Sequence, residues 1–502
     1  MPVGDARHLR AWERRTFMSL KQATISGLKW TSAASAGVAA LNFLKTVVVA
    51  RILSPGDFGR AAIAIALLDV LRVFSDAGVG AAIVQRASVT ARQLTAIFWV
   101  TVAISMLLSG AFIAGIPMLD AFYRAPALSP LFIATATVLP LGAVGTIHVL
   151  LLQRRLAFGA LALADVASAL LNGVVAVWGA LAGYGALAIV LGLVAGTGLR
   201  SVIVIAADWK EFLPLHRCRI SDVRSFVGFG LFQMGDRLVR AFATRIDQIL
   251  IGRFLGVTDL GYYSLAYNLA IQPIARAALI LNRVTLPVFA KMQSEIPRLR
   301  RAFGQVLTLL SALVVPAMLF LVFFALPAIV TLYGPKWRPA APLLQLLSLA
   351  AVFWTVDYPT TTLQVAMGQA GRSFMWSLII LGLTAAGVVA GAQISISGVA
   401  AGLLASWAVV FVLEYFFILR PLVGTEWRGY FWEALGAAAF NAAVAGAVAL
   451  WAVRAIAAGN VTRLALGAAG FVFLYGVTLW FGRRGVAQEL VAAVRRPRQA
   501  PA

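Results

Sequence analysis

The sequence predicts an all-α integral membrane protein of about fourteen transmembrane helices: two pseudo-symmetric six-helix lobes followed by two additional C-terminal helices. Three observations predict it. Apolar residues make up 61% of the chain, mean hydropathy is +0.90 and only 12% of residues are charged, more apolar surface than a soluble fold could hide. The apolar residues gather into fourteen long blocks, with none of the short alternating segments of a membrane β-barrel. A nine-residue pattern also recurs 202 positions on. Arg51, Leu53, Asp57 and Gly59 return as Arg253, Leu255, Asp259 and Gly261, and flanking apolar blocks correspond, as in a duplicated half-protein.

Residues 1–29 form a basic N-terminal segment without a cleavable signal pattern, because the first apolar run is too long and follows a long basic lead. The N-lobe, 30–207, takes the blocks 30–51, 57–84, 93–117, 128–152, 159–181 and 184–206. A short inter-lobe loop, 208–223, precedes the C-lobe, 224–420, with blocks 224–253, 259–288, 302–332, 340–366, 373–391 and 396–419. Two further helices, 432–453 and 463–482, occupy 421–483, and 484–502 is a basic tail. At 1.5 Å per residue every block can cross a hydrocarbon core of ~30 Å. Connections are too short for a second folded domain.

Positive charge gives the orientation. Placing both termini in the cytoplasm puts 26 of the 42 Lys and Arg residues inside and eight outside, and the alternation survives all fourteen crossings. The net charge of +23 is thus a topology signal, with basic loops lying against anionic lipid heads. Its dispersal over short loops argues against nucleic-acid binding. Cys218 is the single cysteine and can form no internal disulfide. No phosphate-cradling Gly-x-x-x-x-Gly-Lys loop is present, and His8, His148 and His216 are too scattered for a zinc site. Neither an enzyme nor a cofactor is expected.

The remaining eight basic residues lie inside apolar blocks, where a charge costs at least about 2.5–3.5 kcal/mol unless it faces a cavity or a partner. Lys45, Arg72, Arg237 and Arg276 lie deep, on the first two helices of each lobe. Arg240 and Arg283 accompany them, Arg283 following Arg276 by seven residues on one helical face. Together these six are the candidate substrate-binding cations. Arg72 has Asp69 and Asp76 at helical spacing, and Asp236 can reach Arg240, so intrahelical pairing is the competing reading. Arg200 sits near a helix end and can snorkel. Arg245 and Asp247 lie near the outer end of their helix, suited to a gate or hairpin contact. Asp165, Asp357 and Glu414 are isolated acids. Asp69, Asp76, Asp165, Asp236 and Asp357 are therefore candidates either for counter-ions to the arginines or for sites of a coupling H+ or Na+. Charge-assisted hydrogen bonds from such cations suit an anionic amphiphile with phosphates.

The repeated pattern reads first as a structural hairpin. Asp57 and Asp259 fall in the first turn of a helix, where a carboxylate caps N–H groups and suits the dipole, while Arg51 and Arg253 end the preceding helix. An outer gate formed by Arg51, Asp57, Arg253 and Asp259 is the second reading.

Several runs carry a resemblance. Ile25-Ser26-Gly27-Leu28-Lys29-Trp30, the hairpin Ala50 to Gly59, Phe74-Ser75-Asp76-Ala77-Gly78, Tyr263-Ser264-Leu265-Ala266-Tyr267-Asn268, Leu286-Pro287-Val288-Phe289-Ala290-Lys291 and Tyr333-Gly334-Pro335-Lys336-Trp337 resemble bacterial Wzx-type polysaccharide flippases. The likeness runs from about residue 18 to 430 and is strongest to the colanic-acid-exporter-like branch of the multidrug/oligosaccharidyl-lipid/polysaccharide exporter superfamily. It implies two six-helix lobes opening alternately to each side of a bacterial inner membrane. The implied partner is an undecaprenyl-diphosphate-linked oligosaccharide held by cationic cavity residues, with an ion gradient as drive and a polysaccharide polymerase and chain-length machinery downstream. Relatives begin near Met18, so residues 1–17 are expected to be dispensable or a start-codon artefact. An ion-coupled multidrug antiporter of the same superfamily is the alternative, and should place acids rather than arginines at the lobe centre. A membrane-embedded glycan polymerase would need a sizeable periplasmic loop.

Overall fold

The structure is a computed structural model and describes residues 33–75, 90–124, 128–214, 238–454 and 459–482. Among them every regular element is helical. Among the described residues eleven helices are long and apolar enough to cross a membrane. They coincide with all the predicted blocks except 57–84, 224–253 and 259–288, the three that carry most of the embedded charge. The chain divides into two units, Met1–Ala241 and Phe242–Ala502.

The first unit contains α1 (Ala33–Ile52), α2 (Pro55–Ser75), α3 (Ala91–Ala114), α4 (Ile116–Tyr123), α5 (Ser129–Ala136), α6 (Val138–Arg154), α7 (Phe158–Leu181) and α8 (Ala186–Asp208). Local chemistry sets the ends. At the start of α3 the Thr90 hydroxyl accepts from Gln93 N while the Gln93 side chain accepts from Thr90 N at 3.0 Å, a capping box. The predicted span 128–152 is two helices meeting at Thr137. Pro140 is the cause: its ring collides with the carbonyl four residues back, at Ala136, where α5 stops. That freed carbonyl accepts the Ser109 hydroxyl of α3 at 2.7 Å, as the absence of water in a bilayer demands. α7 and α8 approach through small residues: a Cβ on Gly196 would lie 2.8 Å from the Ser168 carbonyl.

The second unit contains α9 (Ile246–Phe254), α10 (Val257–Lys291), α11 (Ile296–Phe323), α12 (Ala325–Tyr333), α13 (Ala340–Ala366) and α14 (Ala370–Ala392), then α15 (Ile396–Val423), α16 (Trp427–Arg454) and α17 (Asn460–Gly482). The predicted span 302–332 also breaks, after Phe323, and again a proline four residues on explains it: Pro327 removes the support of the Phe323 carbonyl. Pro316 stays inside α11, and the Ala312 carbonyl it displaces accepts the Tyr475 hydroxyl of α17 at 2.8 Å. The predicted span 224–253 is not one straight helix where it is described. Residues 238–243 are helical, the chain turns at 244–245 and α9 follows, because Arg245 takes a non-helical φ of −129°.

α14 and α15 touch backbone to backbone at Gly387 against Gly402 and at Gly391 against Gly398. The Ser406 hydroxyl bridges them by donating to the Leu383 carbonyl at 2.9 Å. A branched side chain has no room there. Gly402→Val is expected to lower stability by about 1–3 kcal/mol, read as a lower unfolding midpoint of the detergent-solubilised protein. Both units leave large apolar side chains uncovered, among them Leu107, Met118, Trp451 and Phe473, as lipid-facing surfaces do.

Candidate cationic site

The two copies of the repeated pattern are built differently. In the first, Ser54 and Asp57 cap each other: Ser54 N donates to Asp57 Oδ2 at 3.1 Å and Asp57 N to Ser54 Oγ at 3.2 Å. Pro55 fills the first helical position, where its missing N–H costs nothing. Arg60 adds an ion pair to Asp57 at 2.6 Å, and Gly185, at φ +55°, packs so that a Cβ would lie 2.9 Å from Asp57 Oδ1. In the second copy Gly256 stands where Ser54 did, at φ +89°, and no side chain caps α10. The expectation that Asp259 caps its helix as Asp57 does is therefore corrected. Glycine's left-handed backbone makes the turn that the Ser–Asp exchange makes in the first copy. Arg51 is exposed and Arg253 half-buried.

Among the candidate cations, Lys45 is half-buried on α1. Its ammonium donates to Asn172 Oδ1 of α7 at 3.3 Å, and the Gly173 notch lies against its Cβ. The partner is a neutral amide, which orients the ammonium without cancelling its charge. Arg72 lies one turn from Asp69 on α2, at 3.5 Å, with 42% of its side chain exposed, a loose pair of modest energy. Arg240 is half-buried in the helical stretch 238–243. Arg276 and Arg283 stand on α10, and spacing puts them on one face; their side chains lie outside the described residues, as do Arg237, Asp76 and Asp236 altogether.

Of the isolated acids, Asp165 on α7 accepts from Arg200 Nε of α8 at 2.7 Å, so Arg200 has a carboxylate partner within the unit in addition to any snorkelling. Asp357 is buried on α13 and accepts from the Trp376 indole N–H of α14 at 3.3 Å. Asp247 on α9 is buried and accepts the Tyr263 hydroxyl of α10 at 2.6 Å, which makes it part of the contact between the helices on either side of the second hairpin. One further cluster lies outside the predicted charges. Asp208, with no exposed surface, accepts from His148 Nδ1 at 3.0 Å and from Arg155 Nη1 at 2.7 Å, and fixes the end of α8 to that of α6. A buried acid at a helix end was the available signal, but its partners lie 53 and 60 residues away. Among the described residues no group of His, Cys, Asp and Glu is arranged to hold a metal ion.

Comparison with known proteins gives the chain's relatives. Residues 48–342, more than half of the chain, match a family described as polysaccharide biosynthesis protein. The lipopolysaccharide biosynthesis protein WzxC of Escherichia coli (strain K12) is 26% identical over 414 residues, covering 82% of this chain and 84% of that protein. The succinoglycan biosynthesis transport protein ExoT of Rhizobium meliloti (strain 1021) is 28% identical over 364 residues, covering 72% and 73%. Among solved structures, the inward closed conformation of the lipid II flippase MurJ superposes with a TM-score of 0.71 at 14% identity, over 92% of this chain and 99% of that one. At that identity the likeness is one of fold.

Proposed function

Because the chain belongs to the polysaccharide biosynthesis protein family, we propose that it moves undecaprenyl-diphosphate-linked oligosaccharide repeat units from the cytoplasmic to the periplasmic leaflet of a bacterial inner membrane. It is a multi-pass membrane transporter of polysaccharide biosynthesis and not an enzyme. In this reading the two units alternate between states open to either side, both termini face the cytoplasm, and the released repeat units pass to a polymerase and its chain-length machinery.

The observation that carries the reading is Lys45. An ammonium on a membrane-spanning helix is costly, and here it is oriented by the neutral Asn172 amide at 3.3 Å. With Arg72, Arg237, Arg240, Arg276 and Arg283 it supplies the cations that a diphosphate needs, while the prenyl tail stays in lipid. A drug cation would be repelled by the same set.

In a strain lacking the gene, lipid extracts should accumulate the prenyl-diphosphate-linked repeat unit while polymer export stops. Wild-type protein restores export. Lys45→Gln, at equal membrane level, restores about a tenth of it or less, the loss of one charge-assisted hydrogen bond of about 1.5–3 kcal/mol, and Lys45→Arg restores more. Undiminished export in the deletion strain would overturn the reading.

A further inference from the structure

Four aromatic rings from three helices of the second unit meet around Trp354 of α13. Its ring lies 5.8 Å from Tyr358 on its own helix, 6.5 Å from Tyr267 of α10 and 5.3 Å from Trp407 of α15. The rings from the neighbouring helices are buried, Tyr267 at 7% exposure and Trp407 at 8%. Trp354 and Tyr358 are only half-buried. Tyr263, one turn before Tyr267, stacks on it at 5.9 Å, and buried Asp247 accepts the Tyr263 hydroxyl at 2.6 Å. Packing from two helices therefore fixes Trp354, while part of its surface and that of Tyr358 stays open.

The open pair is neither a membrane anchor nor ordinary core. Anchoring Trp and Tyr gather at the two membrane surfaces, whereas Trp354 lies about fourteen residues, ~21 Å, into the 27-residue α13. The Trp354 indole N–H and the Tyr358 hydroxyl make no hydrogen bond among the described residues. Such groups cost free energy when turned to hydrocarbon, and Tyr and Trp normally find a partner where they are buried. Thr361 follows Tyr358 by three residues on the same helical face, and its hydroxyl oxygen also has no partner. One stripe of α13 thus combines flat aromatic faces with three unpaired polar groups.

A pyranose ring has the matching chemistry. Its C–H groups, polarised by the neighbouring oxygens, suit the negative face of an aromatic ring, and the hydroxyls at its rim both donate and accept. A prenyl chain would use the faces and leave the polar groups unpaired. A diphosphate needs cations, and these side chains are neutral. We propose that Trp354 and Tyr358 form a stacking platform for a sugar ring of the transported oligosaccharide, with Tyr267 and Trp407 as positioning residues. The inference rests on the flippase reading above and adds to it the contact that distinguishes one glycan from another. Phosphates are common to every prenyl-diphosphate substrate, so the cations cannot make that choice. A ring already fixed by its neighbours also loses little rotamer freedom on binding.

Binding by the full-length protein in lipid nanodiscs tests this with two probes. One is the lipid-linked repeat unit purified from a strain lacking the gene; the other is undecaprenyl diphosphate without sugars. Trp354→Ala should weaken binding of the repeat unit about tenfold and leave the sugar-free lipid within about twofold of wild type. Trp354→Phe keeps a ring face and should recover most of the affinity. Tyr358→Phe, which removes one oxygen and guards against a variant that fails to fold, should lose about threefold for the repeat unit alone. A repeat unit bound unchanged by Trp354→Ala and Tyr358→Phe, or a loss shared equally by the sugar-free lipid, would overturn the platform. If the flippase reading failed instead, the wild type would bind neither lipid, and the platform would fall with it.

Discussion

Replacing Arg237 and Arg276 together with alanine abolishes polymer export while leaving the protein in the membrane. Each residue lies roughly fourteen to seventeen positions into its predicted helix, close to or past the middle of a ~30 Å core, and neither has an acidic neighbour at helical spacing in the sequence. If each guanidinium gives a diphosphate one charge-assisted hydrogen bond of about 1.5–3 kcal/mol, losing both lowers binding by about two to four orders of magnitude. The lysine double variant retains charge but not the planar fork, and falls between wild type and alanine. Polymer export and immunoblots of membranes measure the two halves of the prediction. Full export by the alanine double variant at normal protein level would contradict the cationic reading.

The second large effect is on stability. Asp208 is fully buried and holds both His148 and Arg155. Removing one partner from a buried charged pair costs about 3–5 kcal/mol, and the cost here falls toward the lower end because Arg155 is 39% exposed and keeps Glu211. Asp208→Ala is therefore expected to deplete the protein from membranes and to lower the unfolding midpoint in detergent. Asp208→Asn keeps an acceptor for Arg155 and costs less. Glu211→Gln is the control: Glu211 meets Arg155 at 3.6 Å with 65% of its side chain exposed, and an exposed pair contributes about 0–1 kcal/mol. Equal destabilisation by Asp208→Ala and Glu211→Gln would remove the cluster's claimed role.

Features that depend on local sequence were legible before the structure. The apolar blocks had to be helical, because a bilayer offers the backbone no other partners. The Asp57 cap could be placed because Ser54, Pro55 and Asp57 are near neighbours in the chain. The breaks at Ala136 and Phe323 were equally local, since Pro140 and Pro327 stand four residues on, but a hydropathy window weighs side chains and takes no account of a missing N–H. Asp259 shows where analogy between repeats stops, for one substitution, serine to glycine, hands the turn from side chain to backbone.

Partnerships across helices were not legible. Lys45 and Asn172 are 127 residues apart, and Asn172 looks like any amide in an apolar run. The Arg200–Asp165 pair depends on how α7 and α8 pack, set by glycines such as Gly196. Composition found the embedded charges; packing assigns them neighbours.

Reconstitution asks whether this chain carries a lipid-linked glycan across a bilayer. Purified protein is placed in liposomes containing a polyprenyl-diphosphate oligosaccharide with a fluorescent sugar, and a membrane-impermeant quencher is added. With the protein present the quencher should reach nearly the whole pool over time, and the Arg237→Ala, Arg276→Ala protein should slow this sharply. Quenching that stops at the outer-leaflet share, as in protein-free liposomes, would show that the chain does not move the lipid-linked glycan.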